Sequence, residues 1–324
     1  MENSRKFKSI DTLTREIENL LLRHVIPGQR VAIAYSGGLD STVLLHCVKA
    51  ICANHDVSLS SIHVNHDISL NADAWTAHCE QQARLLAIEH MTVKVKVARD
   101  SQEGLEASAR ELRYATFARL PVDWVLLAHH LDDQAETLMH NLLRGSGVLG
   151  MAGIPSVRSK YLRPLLKISR ARLLDYAKQH SLTWCEDESN QDQRHARNYI
   201  RHTVLPLIAQ RYPAVAAQLG AASEHFADAQ RLLEDLARVD AGQTPLSFPF
   251  PVSAIATLTP IRAGNLLRHL IVSNSMQPPN QARLVEFVRQ LREAGPDRHP
   301  QLDFGTHSLR VKNRQILLSD SAPH

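Results

Sequence analysis

Two short segments of this sequence carry residues that could do chemistry on a phosphate compound. The first segment follows the apolar run 31–35 and consists of Ser36, Gly37, Gly38, Leu39, Asp40 and Ser41. Glycines let the backbone approach a ligand closely, and the unpaired N–H groups of a helix start attract anions. The segment therefore predicts an anion-binding loop, although it lacks the Gly-Lys-Ser/Thr of a Walker loop. An ordinary strand-to-helix turn is the alternative for this segment alone.

The second segment, residues 129–137, begins another helix and is rich in acids. Asp132 and Glu136 are four residues apart and so share one helix face, with His129 and Asp133 beside them. Carboxylates next to a bound phosphate compound usually hold Mg²⁺ or a positively charged substrate group. Acids in a first turn can also simply stabilise the helix dipole at a solvated surface, which is the alternative interpretation.

The elements that must position these segments alternate between strand and helix. The apolar patterns predict strands at 31–35, 58–64, 91–97 and 124–128, and helices at 11–24, 72–88, 105–120 and from about 131. Such alternation is typical of an α/β fold with a doubly wound, mostly parallel sheet. Ligands of these sheets lie beyond the carboxyl ends of the strands. Residues 36–41, 63–66 and 129–136 each follow a strand, so we expect them to converge on one site.

The alternation stops beyond Pro206, which indicates a second domain. We predict a first domain at residues 1–212 and a smaller, mainly helical domain at residues 213–324. The second domain is expected to contain a long helix at 219–239, a proline-marked linker at 243–251, helices at 261–272 and 281–291, and short strands at 302–304, 308–311 and 315–318.

Composition narrows the class of protein. The 324 residues carry a net charge of +4, and no apolar run is long enough to span a bilayer or act as a secretory signal, so we expect a cytoplasmic protein without a membrane partner. The four cysteines are scattered, which argues against a disulfide framework, a structural zinc or a cysteine-held cluster. Residues 158–178 hold seven basic side chains and one acid.

Several segments in order resemble one family. The resemblance is carried by residues 36–41, 63–66, 106–114, 128–137, 144–147, 163–166, 186–190 and 197–201. Together they resemble the tRNA(Ile)-lysidine synthetases, which belong to the N-type ATP pyrophosphatases with a PP-loop. The resemblance covers about the first two thirds of the chain. It implies the fold described above and an extra carboxyl-terminal domain in longer relatives, which we expect this chain to lack.

The resemblance also implies a two-step ligation. AMP would pass from ATP to the carbon-2 oxygen of the wobble cytidine in tRNA(Ile) bearing a CAU anticodon. The ε-amine of L-lysine would then displace AMP and form lysidine. Such a tRNA reads AUA instead of AUG and is charged with isoleucine instead of methionine. The cofactors implied are ATP, as a substrate, and Mg²⁺, and a homodimer is left open as the oligomeric state.

The roles of single residues follow from the same resemblance. ATP would be bound by Ser36, Gly37, Gly38, Leu39, Asp40, Ser41, Arg110 and Arg113. The catalytic group would comprise Asp40, His129, Asp132, Asp133 and Glu136, of which Asp132, Asp133 and Glu136 would bind lysine, and Asp132 and Asp133 also Mg²⁺. Contacts with tRNA would come from Arg163, Arg194, Arg197 and Arg201. Each arginine could instead form a surface ion pair, with Glu106 or Glu111 near Arg110 and Arg113, and with acids 186–188 near Arg194, Arg197 and Arg201.

Two other functions remain open. Another adenylating tRNA modifier, such as a thiolase, would need a cysteine pair or cluster, and no cysteines here are suitably spaced in sequence. A non-catalytic ATP- or RNA-binding protein of the same fold would bind ATP without turnover. The intact acidic segment argues against it, because binding alone does not require three carboxylates together.

Overall fold

The computed structural model describes residues 11–97, 105–186, 196–293 and 300–320. The chain divides into two compact units, Met1–Glu224 and His225–His324. The sequence places the domain boundary at residue 212, whereas the compact units divide inside a long helix, Val215–Ala241.

The first unit alternates strands and helices as far as residue 179. Its elements are α1 (Thr12–Leu21), β1 (Arg30–Ala34), α2 (Leu39–Cys52), β2 (Ser58–Asn65), α3 (Ala72–Leu85), β3 (Glu89–Lys94), α4 (Leu105–Ala118), β4 (Trp124–Leu126), α5 (Leu131–Leu143), α6 (Val148–Met151), β5 (Val157–Arg158), β6 (Tyr161–Leu162), α7 (Arg170–Gln179), α8 (Ala196–Tyr199), a π-helical turn (Ile200–Val204), α9 (Leu205–Arg211) and the start of α10 (Val215–Ala241).

Six strands form one sheet in the order β3-β2-β1-β4-β6-β5, and all neighbours are parallel except the β5–β6 pair. Strand β1 lies between β2 and β4, with Val31 opposite Leu59 on one side and Trp124 on the other. The chain thus places β2 on one side of β1 and β4 on the other. A crevice opens between β1 and β4 at their carboxyl ends, where the strand order changes direction. The prediction of a doubly wound, mostly parallel sheet is confirmed.

The central strand is apolar because helices cover both faces of the sheet. Val31 and Ile33 of β1 are fully buried, and Leu44 of α2 belongs to the same core with Ile17 of α1 and Leu173 of α7. Helix α2 is apolar around most of its circumference for this reason.

Strand β3 is shorter than its alternating pattern predicts. The pattern runs to Val97, but the strand ends at Lys94, opposite Asn65, the last residue of β2. The ladder of hydrogen bonds between β2 and β3 thus stops where β2 ends.

The second unit has its own core. It contains the rest of α10, β7 (Phe250–Pro251), α11 (Val252–Ala256), α12 (Pro260–Ser273), α13 (Gln281–Glu293), β8 (Gln301–Phe304), β9 (His307–Lys312) and β10 (Gln315–Asp320). The strands form an antiparallel sheet in the order β7-β10-β9-β8. Phe250, Leu267, Phe287 and Leu309 are buried in one cluster. A search of the described parts of both units finds no helix long and apolar enough to cross a membrane.

Candidate active site

The glycine loop between β1 and α2 is shaped by its own hydroxyl groups. Gly37 has a φ of +81°, a left-handed conformation that favours glycine. The hydroxyl of Ser41 donates to the carbonyl of Gly38 at 3.0 Å and lies 3.0 Å from the hydroxyl of Ser36. Gly38 is the N-cap of α2 and offers no side chain to the first-turn N–H groups. This arrangement leaves backbone donors available for an anion.

The thiols of Cys79 and Cys185 lie on the side of Gly37 from which a Cβ atom would project. A Cβ atom on Gly37 would stand 3.0 Å from Cys79 Sγ and 3.8 Å from Cys185 Sγ, so a larger residue is disfavoured by the close sulfur as well as by φ. Cysteines that are distant in sequence are therefore neighbours in the fold. Burial raises the pKa of Cys79 to about 12 and also raises the pKa of Cys185. Both thiols are protonated at neutral pH, which does not favour sulfur transfer.

Helix α5 begins with a reciprocal cap. The backbone N–H of His130 donates to Asp133 Oδ2 at 3.0 Å, while the His130 imidazole accepts from the backbone N–H of Asp133 at 3.4 Å. This is a capping box built from a histidine and an aspartate. Asp132 accepts from the backbone N–H of Arg170 at 2.8 Å and so ties α5 to the start of α7.

His130 also contacts the glycine loop. Its side chain is 3% exposed, and its Nε2 lies 3.5 Å from Oδ2 of Asp40, a first-turn residue of α2. Burial lowers the pKa of His130, but the carboxylates of Asp40, Asp133 and Asp132 outweigh this effect and raise it above its ordinary value. The loop and the acidic helix therefore meet through one imidazole.

His129 is the histidine predicted to be catalytic, whereas His130 was not predicted. The spacing of His130 is a usable signal, because it precedes the first turn of α5 and stands three residues before Asp133, as in a capping box.

Glu136 and Asp133 are held by two arginines. Glu136 is 1% exposed and accepts from Nε of Arg197 at 3.2 Å and from a terminal nitrogen of Arg201 at 2.9 Å. Arg201 also donates to Asp133 at 3.0 Å. Arg201 lies in the π-helical turn, a local distortion common at functional sites. Arg197 and Arg201 are predicted to bind the tRNA backbone, and in the fold their guanidinium groups contact Glu136 and Asp133.

His129 lies beside several cations. Its Nδ1 is buried and finds no partner among the described residues. Burial lowers the pKa of His129 to about 4, and the charges of Arg163, Arg110 and Arg197 act in the same direction against Asp133. The imidazole is therefore neutral at pH 7.

Arg163, a predicted tRNA contact, is enclosed by the protein. It is 4% exposed and donates to the carbonyl of Pro155 at 2.8 Å and to the Tyr114 hydroxyl at 3.4 Å. Its guanidinium group is thus held by oxygen atoms of the protein, and its contact with tRNA stays a prediction. Other members of the basic stretch are also engaged: Lys167 pairs with Glu224, and Arg172 with Glu16.

The remaining predicted residues are more dispersed. The guanidinium of Arg110 stacks over Tyr114 at 5.1 Å, and Arg113 donates to His66 at 3.3 Å. His63 is packed at the end of β2, with Nδ1 3.0 Å from the carbonyl of Tyr35. Arg194 lies outside the described residues.

Among the described residues, no group of three or more His, Cys, Asp or Glu side chains is arranged to hold a metal ion by itself. Asp132 and Asp133, the predicted ligands, already accept from backbone and arginine donors. Oδ1 of Asp40 is buried and lacks a hydrogen-bond partner in the described part of the chain. One free carboxylate oxygen fits Mg²⁺, which commonly binds one or two carboxylates together with substrate phosphates.

The sheet, the glycine loop after β1 and the acidic helix after β4 define a PP-loop ATP-binding protein. A family model described as a PP-loop domain matches residues 10–208, and a model described as the TilS substrate binding domain matches residues 250–317. The chain belongs to the tRNA(Ile)-lysidine synthase family.

Similar proteins support this assignment. A tRNA(Ile)-lysidine synthase of Alkalilimnicola ehrlichii is 44% identical over 299 residues, which cover 90% of this chain and 67% of the relative. One from Nitrosomonas europaea is 39% identical over 332 residues, which cover 100% of this chain and 72% of the relative. The U34-tRNA thiolase NcsA of Methanococcus maripaludis shares the fold, with a TM-score of 0.56 and 19% identity over 66% of this chain and 77% of its own. The predictions of the family, of ATP binding and of a tRNA-modifying enzyme are confirmed.

Proposed function

We propose that this enzyme ligates L-lysine to carbon 2 of the wobble cytidine in tRNA(Ile) with a CAU anticodon, through an adenylated tRNA intermediate. The product, lysidine, would switch codon reading from AUG to AUA and charging from methionine to isoleucine. The observation that carries the proposal is the meeting of Asp40 and helix α5 at the crevice between β1 and β4. An ATP site and an acidic pocket are thereby adjacent, as a two-step ligation requires.

In the first step, the glycine loop would hold the phosphates of ATP. The first-turn N–H groups of α2 and the hydroxyls of Ser36 and Ser41 are the donors, and Arg110 and Arg113 are the nearby cations that could neutralise charge. Mg²⁺, when bound near Oδ1 of Asp40, would stabilise the negative charge of the departing pyrophosphate. Donors already fixed by the fold need little reorganisation as that charge develops.

In the second step, the pocket around Asp133 and Glu136 would receive lysine. Free lysine carries a carboxylate and two ammonium groups, so its binding site needs both negatively and positively charged side chains. Asp132, Asp133 and Glu136 supply negative charge, while Arg197 and Arg201 supply positive charge that a carboxylate can share. We therefore assign these two arginines to lysine rather than to the tRNA backbone. His129, neutral at pH 7, adds no charge and offers its Nδ1 as a polar contact.

The decisive experiment measures incorporation of labelled lysine. The protein is incubated with ATP, Mg²⁺ and an unmodified tRNA(Ile) transcript bearing CAU, and label in the tRNA is counted. We expect incorporation by the wild type and by Asp175→Asn, an exposed carboxylate of α7, and at least a hundredfold loss for Asp40→Asn, since Asp40 is placed to act on ATP. Wild-type protein that adenylates tRNA but transfers no lysine would indicate another tRNA modifier. ATP binding without turnover would indicate a non-catalytic protein.

A further inference from the structure

His130 contacts both sides of the candidate site. Its Nδ1 accepts from the backbone N–H of Asp133 at the start of α5, and its Nε2 lies 3.5 Å from Asp40 Oδ2 on the glycine loop. The ring is buried, with 3% of its side chain exposed, so its orientation is set by packing. Neither contact depends on a substrate.

The cap determines which nitrogen carries the proton. A neutral imidazole has one donor and one acceptor nitrogen. Because Nδ1 accepts from the N–H of Asp133, Nε2 carries the hydrogen, and it faces Asp40 Oδ2 at 3.5 Å and Asp133 Oδ2 at 3.6 Å. If the ring gains a second proton, Nδ1 faces Asp132 Oδ2 at 3.6 Å, while the N–H of Nε2 still faces Asp40 Oδ2. The donor directed at Asp40 is thus common to both forms.

The contact with His130 leaves the two oxygens of Asp40 in different environments. Oδ2 faces the imidazole, whereas Oδ1 lacks a partner among the described residues. We propose that His130 is a positioning residue that fixes the Asp40 carboxylate with Oδ1 directed to the ATP-bound cation, and so couples the glycine loop to helix α5. The inference rests on the proposed function, in which Asp40 acts on ATP.

Two substitutions separate the cap from the coupling. In His130→Asn, the short amide can replace Nδ1 as a helix cap, since asparagine is among the best N-cap residues, but it does not reach Asp40. In His130→Gln, the longer amide can place an N–H where Nε2 stood, but glutamine is a poor cap. His225→Asn, an exposed histidine of α10, is the matched control.

The two variants should respond in opposite ways. For His130→Asn we expect a kcat of tRNA adenylation about tenfold lower, an unchanged KM for tRNA, and a melting temperature within about 1 °C of wild type. For His130→Gln we expect a kcat within about threefold of wild type and a melting temperature about 3 °C lower. A purely structural histidine predicts the reverse, because only the cap would matter. Wild-type kcat in His130→Asn, or equal losses in both variants, would overturn the proposal.

A double-mutant cycle tests whether His130 acts through Asp40. In an Asp40→Asn background the tenfold effect of His130→Asn should shrink to less than about twofold, because the carboxylate it positions is gone. A tenfold loss of kcat from His130→Asn in both the wild-type and the Asp40→Asn background would also refute the coupling between His130 and Asp40.

The inference can be tested even if the proposed reaction is not observed. Binding of Mg²⁺ with a non-hydrolysable ATP analogue should then weaken about tenfold in His130→Asn and little in His130→Gln. Equal affinity in His130→Asn and wild type would refute the coupling, whereas failure of the wild type to adenylate tRNA would refute only the proposed function.

Discussion

Removal of Arg201 should destabilise the first unit strongly, because it leaves buried charge without its main partner. Glu136 is 1% exposed, and Arg201 contacts both it and Asp133. Deleting one member of a buried ion pair typically costs about 3–5 kcal/mol, and Arg197 remains as a partial substitute. We therefore expect Arg201→Ala to lower the free energy of unfolding by about 3 kcal/mol.

Arg197→Ala is the matched comparison. Arg197 is more exposed, 40% against 29% for Arg201, and it reaches Glu136 through one nitrogen at 3.2 Å. Its loss should cost about 1 kcal/mol, near the upper end for partly exposed pairs. In a third variant, Arg201→Met combined with Glu136→Gln, the buried charge is removed with its partner, and more than half of the lost stability should return.

Urea denaturation followed by tryptophan fluorescence measures these differences. All three tryptophans of the chain, at positions 75, 124 and 184, lie in the first unit, so the signal reports on that unit. Equal losses for Arg201→Ala and Arg197→Ala, or a loss below about 1 kcal/mol for Arg201→Ala, would refute the reasoning from burial.

Three other predictions concern separate features. Gly37→Ala should abolish ATP binding, measured by calorimetry, because φ is +81° and the Cβ would meet Cys79 Sγ at 3.0 Å; Gly28→Ala, also at positive φ but with nothing within 4 Å, is the control. Burial, together with the positive charge of Arg113, lowers the pKa of His66 to about 4. The unfolded chain therefore binds a proton at His66 more readily than the folded chain does. The stability that neutral His66 contributes is present above about pH 6.5 and is lost as the pH falls from about 6.5 to 4. His66→Gln should reduce the stability difference between pH 7 and pH 5 by up to about 2 kcal/mol, and equal pH slopes in urea titrations would contradict this. Binding of tRNA, measured by filter retention, should weaken steeply with salt, and a flat response would exclude a phosphate-dominated interface.

Local pattern was sufficient for the parts of the site that lie on one strand–helix turn. The glycine loop and the acidic start of α5 could be recognised because each is a short run whose spacing reflects its own backbone. The adjacency of β1 and β4 was expected only in general terms, from the behaviour of parallel sheets.

Contacts between distant segments could not be read in the same way. Arg201 lies 65 residues from Glu136, and no periodicity relates the two. An arginine that faces a buried carboxylate and one that faces solvent have the same local pattern, so sequence reasoning assigned Arg197 and Arg201 to tRNA. The meeting of Cys79 and Cys185 at Gly37 was missed for the same reason.

The pairing of Glu136 with Arg197 and Arg201 has a consequence for the order of synthesis. A nascent chain that has emerged only to residue 190 already contains β1, β4 and α5, yet lacks both guanidinium groups that accompany Glu136. Until both guanidinium groups emerge from the ribosome, burial of the Glu136 carboxylate is unfavourable. We therefore expect α5 to pack only loosely against the sheet until then. Arg197 and Arg201 thus supply the charges that stabilise a helix synthesised some sixty residues earlier.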